Sequence, residues 1–76
     1  MYTESARQAR VTGKVVLLAV LGSDGTVRHI LVLVGLPNGL TEAAINAARA
    51  IRFYPAILDG RRVSMFVQLS YPFDLY

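Results

Sequence analysis

The spacing of apolar residues changes character along the chain, and each change marks an element. Tyr2, Ala6 and Ala9 recur at i, i+4 and i+7, the stripe of a short amphipathic helix. Thr3 is placed to cap that helix, Glu4 to favour the positive end of its dipole, and Gly13 to stop it. Seven consecutive apolar residues follow from Val15 to Leu21, and with Lys14 they predict a strand over 14–21. Gly22, Ser23, Asp24 and Gly25 make a turn, so a second strand over 26–34 completes a β-hairpin. Pro37 with Gly35 and Gly39 ends it. Thr41 then predicts an N-cap, with Leu40 and Ile45 spaced as a hydrophobic staple. Ala44, Ile45, Ala48 and Ile51 share one face of this second helix, opposite Glu42, Asn46 and Arg49. Pro55 disfavours helical geometry at Tyr54 and sets the helix end near Phe53. After a turn at Asp59-Gly60, the alternation of Val63, Met65, Val67, Leu69 and Tyr71 with Ser64, Phe66, Gln68 and Ser70 predicts a third strand over 63–71.

The order α-β-β-α-β predicts an α+β fold of two layers, a three-stranded sheet with two helices on one face, in one domain over residues 1–76. The second helix returns the chain so that the third strand runs antiparallel to the first. A right-handed crossover then gives strand order 2-1-3 and leaves the third strand at an edge. Alternation assigns Val15, Leu17, Ala19 and Leu21, then Val27, Ile30, Val32 and Val34, then Val63, Met65, Val67 and Leu69 to the helix side, with an irregularity near His29. The opposite side carries Val16, Leu18, Val20, Leu31, Leu33 and Phe66, where a two-layer fold calls for polar residues. An apolar face of this size marks an interface, so these six residues predict self-association into a homodimer or higher oligomer, by sheet packing or strand exchange.

Composition narrows the chemistry. Hydrophobic residues make up 54% of 76 positions, which helps a chain too short to build a deep core. There is no cysteine, so disulfides and thiolate metal sites are excluded, and His29 has no second strong ligand near it in sequence. Neither a metal nor another cofactor is expected. The net charge of +3 is spread over the chain, unlike the concentrated basic surface of a nucleic-acid binder, and no nucleic acid is expected as a partner. The one Gly-x-x-Gly spacing, Gly22 to Gly25, is taken up by the predicted hairpin turn, which argues against its use as the backbone clamp of a KH-type RNA-binding module. Ser23 and Ser64 lack an activating neighbour, and Asp24 and Asp59 precede glycines as turn residues do, so no catalytic residue is assigned. The segment 35–39 lacks the Gly-Lys-Ser/Thr ending of a phosphate-binding loop. No apolar run approaches the ~20 residues that span a bilayer, and no signal peptide is visible.

An ordered set of short motifs covers nearly the whole chain. A Tyr-led helix rich in Ala and Arg, residues 2–10, leads through Val11-Thr12-Gly13 into the aliphatic strand. The hairpin carries Asp24-Gly25-Thr26-Val27, the second helix Glu42-Ala43-Ala44, and the segment after it Arg52-Phe53-Tyr54-Pro55-Ala56. Asp59-Gly60-Arg61 and a final strand ending Pro72-Phe73 close the pattern. Together these resemble the TonB C-terminal domain family, with Thr3 where the family often has proline and Ile51 where tryptophan is common.

The resemblance implies a non-enzymatic, periplasmic partner-binding domain of an energy transducer. Such a transducer is anchored in the inner membrane beside proton-driven motor proteins, and its anchor would lie outside this segment. The implied partner is the TonB box, an extended segment of a TonB-dependent outer-membrane transporter, gripped by strand addition at a sheet edge. Ser64, Met65, Phe66, Val67, Gln68, Leu69 and Ser70 are the candidate gripping residues, and Arg61 and Arg62 the candidates for steering an acidic partner. Steering of that kind predicts association that slows as salt is added. A TolA-like domain, which shares the architecture, or another cell-envelope interaction or structural module is the alternative, with a small KH-like RNA-binding domain ranked behind both.

Overall fold

The strand that is apolar on both sides lies in the middle of the sheet. In the computed structural model, which describes residues 2–74, the elements run α1 (Glu4–Gln8), β1 (Gly13–Leu21), β2 (Val27–Val34), α2 (Leu40–Arg49), β3 (Ala56–Leu58), β4 (Arg61–Val63) and β5 (Met65–Phe73). β2, β1 and β5 form a three-stranded sheet in that order, both outer strands antiparallel to β1. This is the expected α+β architecture, with the chain's last strand added beside its first. Among the described residues β3 and β4 pair only with each other, as a separate two-stranded ribbon.

Alternation along β1 and β5 explains where the core sits. Val15, Leu17 and Ala19 point to the helix side and are fully buried, and directly opposite them stand Tyr71, Leu69 and Val67 of β5. Ala6 of α1 and Leu40, Ala44 and Ala48 of α2 close over this face, so both helices cover the same side of the sheet. The alanines let α2 lie close to the strands, at the cost of a core with few large side chains. Leu17, Leu40 and Val15 are the largest residues wholly out of water. Truncating such a leucine to alanine costs about 2–5 kcal/mol, a large share of a small domain's stability. Tyr2 seals one end, with its ring edge-on to Phe73 at 5.3 Å and its hydroxyl donating to the Val11 carbonyl.

Both helices end earlier than their periodicity predicts. α1 is capped by Thr3, whose hydroxyl accepts from Ala6 N–H at 3.0 Å, as expected. It stops at Gln8 and not near Gly13, leaving Ala9 exposed as the C-cap. Val11 N–H donates to Ala6 C=O and Arg10 N–H to Arg7 C=O, a Schellman closure with Arg10 in the left-handed region at φ 55. An L-residue there is strained by about 1 kcal/mol. We therefore expect Arg10→Gly to raise the melting temperature by about 4–8 °C. An unchanged or lower midpoint would show that this turn stores no strain.

α2 begins one residue before Thr41. Gly39 is its N-cap, at φ 79 and with no side-chain hydrogen bond. Thr41 is not the cap, because its hydroxyl both accepts from Leu36 N–H at 2.9 Å and donates to Leu36 C=O at 2.8 Å. Leu40 accordingly lies inside the helix as a core residue. At the other end α2 stops at Arg49, short of Phe53, because the next residues are drawn to the β1–β2 turn. Arg52 bridges Thr26, and Phe53 N–H donates to Gly25 C=O at 3.3 Å. Gly25 has φ +83, and a Cβ there would stand 2.7 Å from the Phe53 carbonyl oxygen. Gly25→Ala should therefore cost about 1–3 kcal/mol, read as a lowered denaturation midpoint.

The predicted third strand is two strands. Ser64 interrupts it, so Val63 belongs to β4 and not to the helix side of the main sheet. The Asp59-Gly60 turn is confirmed, with φ 51 and 76 at its two central residues, the geometry of a two-residue hairpin loop. β2 is irregular at two places. Its register skips His29, which takes φ 44, and skips Leu33 between the pairs Val16–Val34 and Leu17–Val32. The second bulge moves Val34 from its predicted helix-side position to the outer face opposite Val16. Val32 keeps the side of Leu17 yet remains partly exposed.

Candidate functional site

The sheet has two free edges, and their backbones differ. β2 carries two bulges, which interrupt the row of groups that an added strand would need. β5 keeps an unbroken register with β1 through nine consecutive pairs, from Gly13–Phe73 to Leu21–Met65. The regular edge is therefore β5.

Which groups that edge offers follows from the hydrogen-bond phase. Gly22 N–H donates across the hairpin to Thr26 C=O at 2.7 Å, so Gly22 faces β2. Alternate residues of β1 face alternate neighbours in an antiparallel ladder, which turns Leu21, Ala19, Leu17, Val15 and Gly13 toward β5. Their partners Met65, Val67, Leu69, Tyr71 and Phe73 spend their main-chain groups on β1. Phe66, Gln68, Ser70 and Pro72 consequently turn theirs outward. Proline supplies an independent check, because its missing N–H is tolerated where the strand faces away from its neighbour. Pro72 stands at such an outward position, and no donor is available beyond Ser70.

The predicted gripping residues thus separate into groups. Phe66, Gln68 and Ser70 present both outward backbone and exposed side chains. Met65, Val67 and Leu69 hold the strand to β1 on its helix side, where Val67 and Leu69 are half-buried and Met65, predicted to face the helices, stays exposed at the strand's end. Ser64 lies outside the strand, at the break before β5. Arg61 and Arg62 are exposed, but on the separate β3–β4 ribbon. Pro72 was legible as a phase marker in the sequence, although alternation alone gave no reason to use it.

The residues predicted for self-association gather on the outer face. Leu18 stands opposite Leu31 on one side and Gln68 on the other, and Val20 stands opposite Arg28 and Phe66. Leu31 is 58% exposed and Phe66 72%, with Leu33 and Val34 about half exposed beside them. Val16, Leu18 and Val20 on the central strand are half-buried. Ser70, Gln68 and Arg28 interrupt the apolar area, so the face is less uniformly aliphatic than the alternation predicts.

Near the β1–β2 turn, the neighbours of Asp24 favour its charged form. The Thr26 hydroxyl, then the Arg28 guanidinium at 2.7 Å and the Thr26 N–H, hold its carboxyl well below the usual carboxylate range. All three stabilise the charged form of a residue that shapes a tight turn, so the perturbation is accounted for by structure. His29 is exposed at its bulge. Among the described residues no group of three or more potential metal ligands comes together, and no helix is long and apolar enough to cross a membrane.

The family model described as the Gram-negative bacterial TonB protein C-terminal matches residues 1–75. No curated protein matches the sequence.

Proposed function

Because the chain belongs to the TonB C-terminal domain family, we propose that it is the partner-binding end of a TonB-like energy transducer and grips an extended transporter segment along β5. The observation that carries this reading is the unbulged edge of β5, with Phe66, Gln68 and Ser70 facing outward. An extended peptide laid there completes main-chain hydrogen bonds without rearranging the sheet, and alternate side chains supply selectivity. Force directed along the strand shears these bonds together, which suits a link that must transmit pull.

In this reading the domain works in the periplasm. Its anchor and its contact with proton-driven motor proteins are supplied by sequence outside the segment. The TonB box of an outer-membrane transporter is the captured segment. The function is protein recognition and not catalysis. Two copies associate through the outer sheet face, where Leu18, Leu31, Leu33 and Phe66 leave apolar surface in water.

Titrating isotopically labelled domain with a TonB-box peptide tests the grip. The amides of Phe66, Gln68 and Ser70 should shift most and gain protection from solvent exchange. Shifts centred on β2 would place the partner on the other edge and overturn the assignment.

A further inference from the structure

The β3–β4 ribbon has no role in strand addition at β5, and its side chains are unusual for a surface hairpin. Ile57 is 70% exposed and Leu58 63%, and Tyr54 just before them is 98% exposed. Among the described residues, a Cβ at the tip residue Gly60 would meet no atom within 4 Å, so the turn stands clear of them. The molecule measures 49 × 20 × 18 Å, elongated for a chain of 76 residues.

The charges beside this apolar tip have one sign. Residues 52–63 carry three arginines, Arg52, Arg61 and Arg62, against the single carboxylate of Asp59. Among the described residues none of these arginines forms an ion pair; Arg52 instead donates to the Arg49 and Ile51 carbonyls at the end of α2. Ile57 pairs across the ribbon with Arg62, and Leu58 with Arg61. Successive residues of a strand point to opposite sides, so each face of the ribbon carries one aliphatic side chain opposite one guanidinium.

We propose that this ribbon is a lipid-binding tip, which inserts Ile57 and Leu58 into the headgroup boundary of an anionic bilayer. A protein groove covers one face of a ribbon and would leave either Ile57 or Leu58 in water. A bilayer surface receives the tip end-on and takes both. The long arginine side chains keep their apolar stems beside the aliphatic residues and return their charged ends to the phosphates. The positive sign of the tip selects an anionic surface over a neutral one.

The experiment uses the whole chain and vesicles of phosphatidylcholine, with and without phosphatidylglycerol. The chain contains no tryptophan, so Leu58→Trp reports the tip alone. The domain should sediment with the anionic vesicles only, and the emission of the Leu58→Trp variant should shift to the blue when it does. Arg61→Gln with Arg62→Gln should weaken partitioning about thirty-fold, and added salt should weaken it as well. Failure of the unmodified chain to sediment with either vesicle overturns the proposal. Equal binding to both vesicles, or sedimentation with unshifted emission, overturns it too. A blue shift that grows with protein concentration in the absence of vesicles means that a second copy covers the tip. Gln68→Pro leaves the ribbon untouched and should bind vesicles normally, so this result stands apart from the outcome at β5.

Discussion

Gln68→Pro should abolish capture of an extended peptide and leave the domain folded, whereas Leu69→Pro should unfold it. The two positions are adjacent, equally close to the edge, and differ only in phase. Gln68 N–H points away from β1, so a proline there removes a donor that the isolated domain does not use. Its ring also stands where the added strand must approach. The complex loses one main-chain bond and leaves a peptide carbonyl unpaired, together about 2–4 kcal/mol, or roughly 30- to 1,000-fold in affinity. Leu69 N–H, by contrast, faces Leu17 in the middle of the sheet. A proline there orphans a buried carbonyl and drives its ring into the central strand, beneath a core of only a few large side chains. Calorimetric titration and thermal melts of both variants give the answer. Gln68→Pro unfolding while Leu69→Pro folds would mean that the phase is reversed.

The unmodified domain should self-associate at high micromolar concentration, and Leu18→Lys with Leu31→Lys should make it monomeric. These two side chains stand directly opposite each other on the outer face. Burying each at an interface contributes about 1.5–3 kcal/mol, so losing both removes about 3–6 kcal/mol per chain. Two lysines facing each other across strands add repulsion. Neither position contributes to the helix-side core, so the variant should keep its circular dichroism spectrum. Light scattering across a concentration series provides the measurement. An unmodified domain that remains monomeric throughout would remove the outer face as an interface.

The readability of the sequence followed the length of each signal. β1 was plain because seven apolar residues between two glycines admit little else, and strand order then followed from connection geometry. α1 and α2 were recognisable from periodicity, but their ends were set by contacts that periodicity does not register. Thr41 looks like a cap from sequence, yet its hydroxyl is committed to Leu36 across the preceding loop. α2 ends before Phe53 because Gly25 takes that N–H, a contact between residues 28 positions apart. Arg10 gave no warning of its left-handed conformation, since glycine is the usual signal for such a closure. The Asp59-Gly60 turn was visible, but strands of three residues beside it fall below what alternation resolves, so Val63 of the ribbon reads as the start of β5. At the candidate site, alternation separated inward from outward side chains correctly along β5. It carried no information about which main-chain groups face the edge; Gly22 and Pro72 supplied that.

Pairing the first strand with the last also has a consequence in time. Gly13 meets Phe73 and Leu21 meets Met65, so the sheet closes only through contacts spanning 44 to 60 residues. Long-range pairings of this kind slow folding, because the loop must close before the contacts reward it. During synthesis the β1–β2 hairpin can form early, but β1 then waits with an open edge and apolar side chains on both faces until β5 arrives. For that interval the nascent chain presents a vacancy shaped for β5, and the β5 of a neighbouring chain fits it as well as its own. Local protein concentration during folding, and not only the stability of the finished domain, therefore governs whether strands stay within one chain or are exchanged between two.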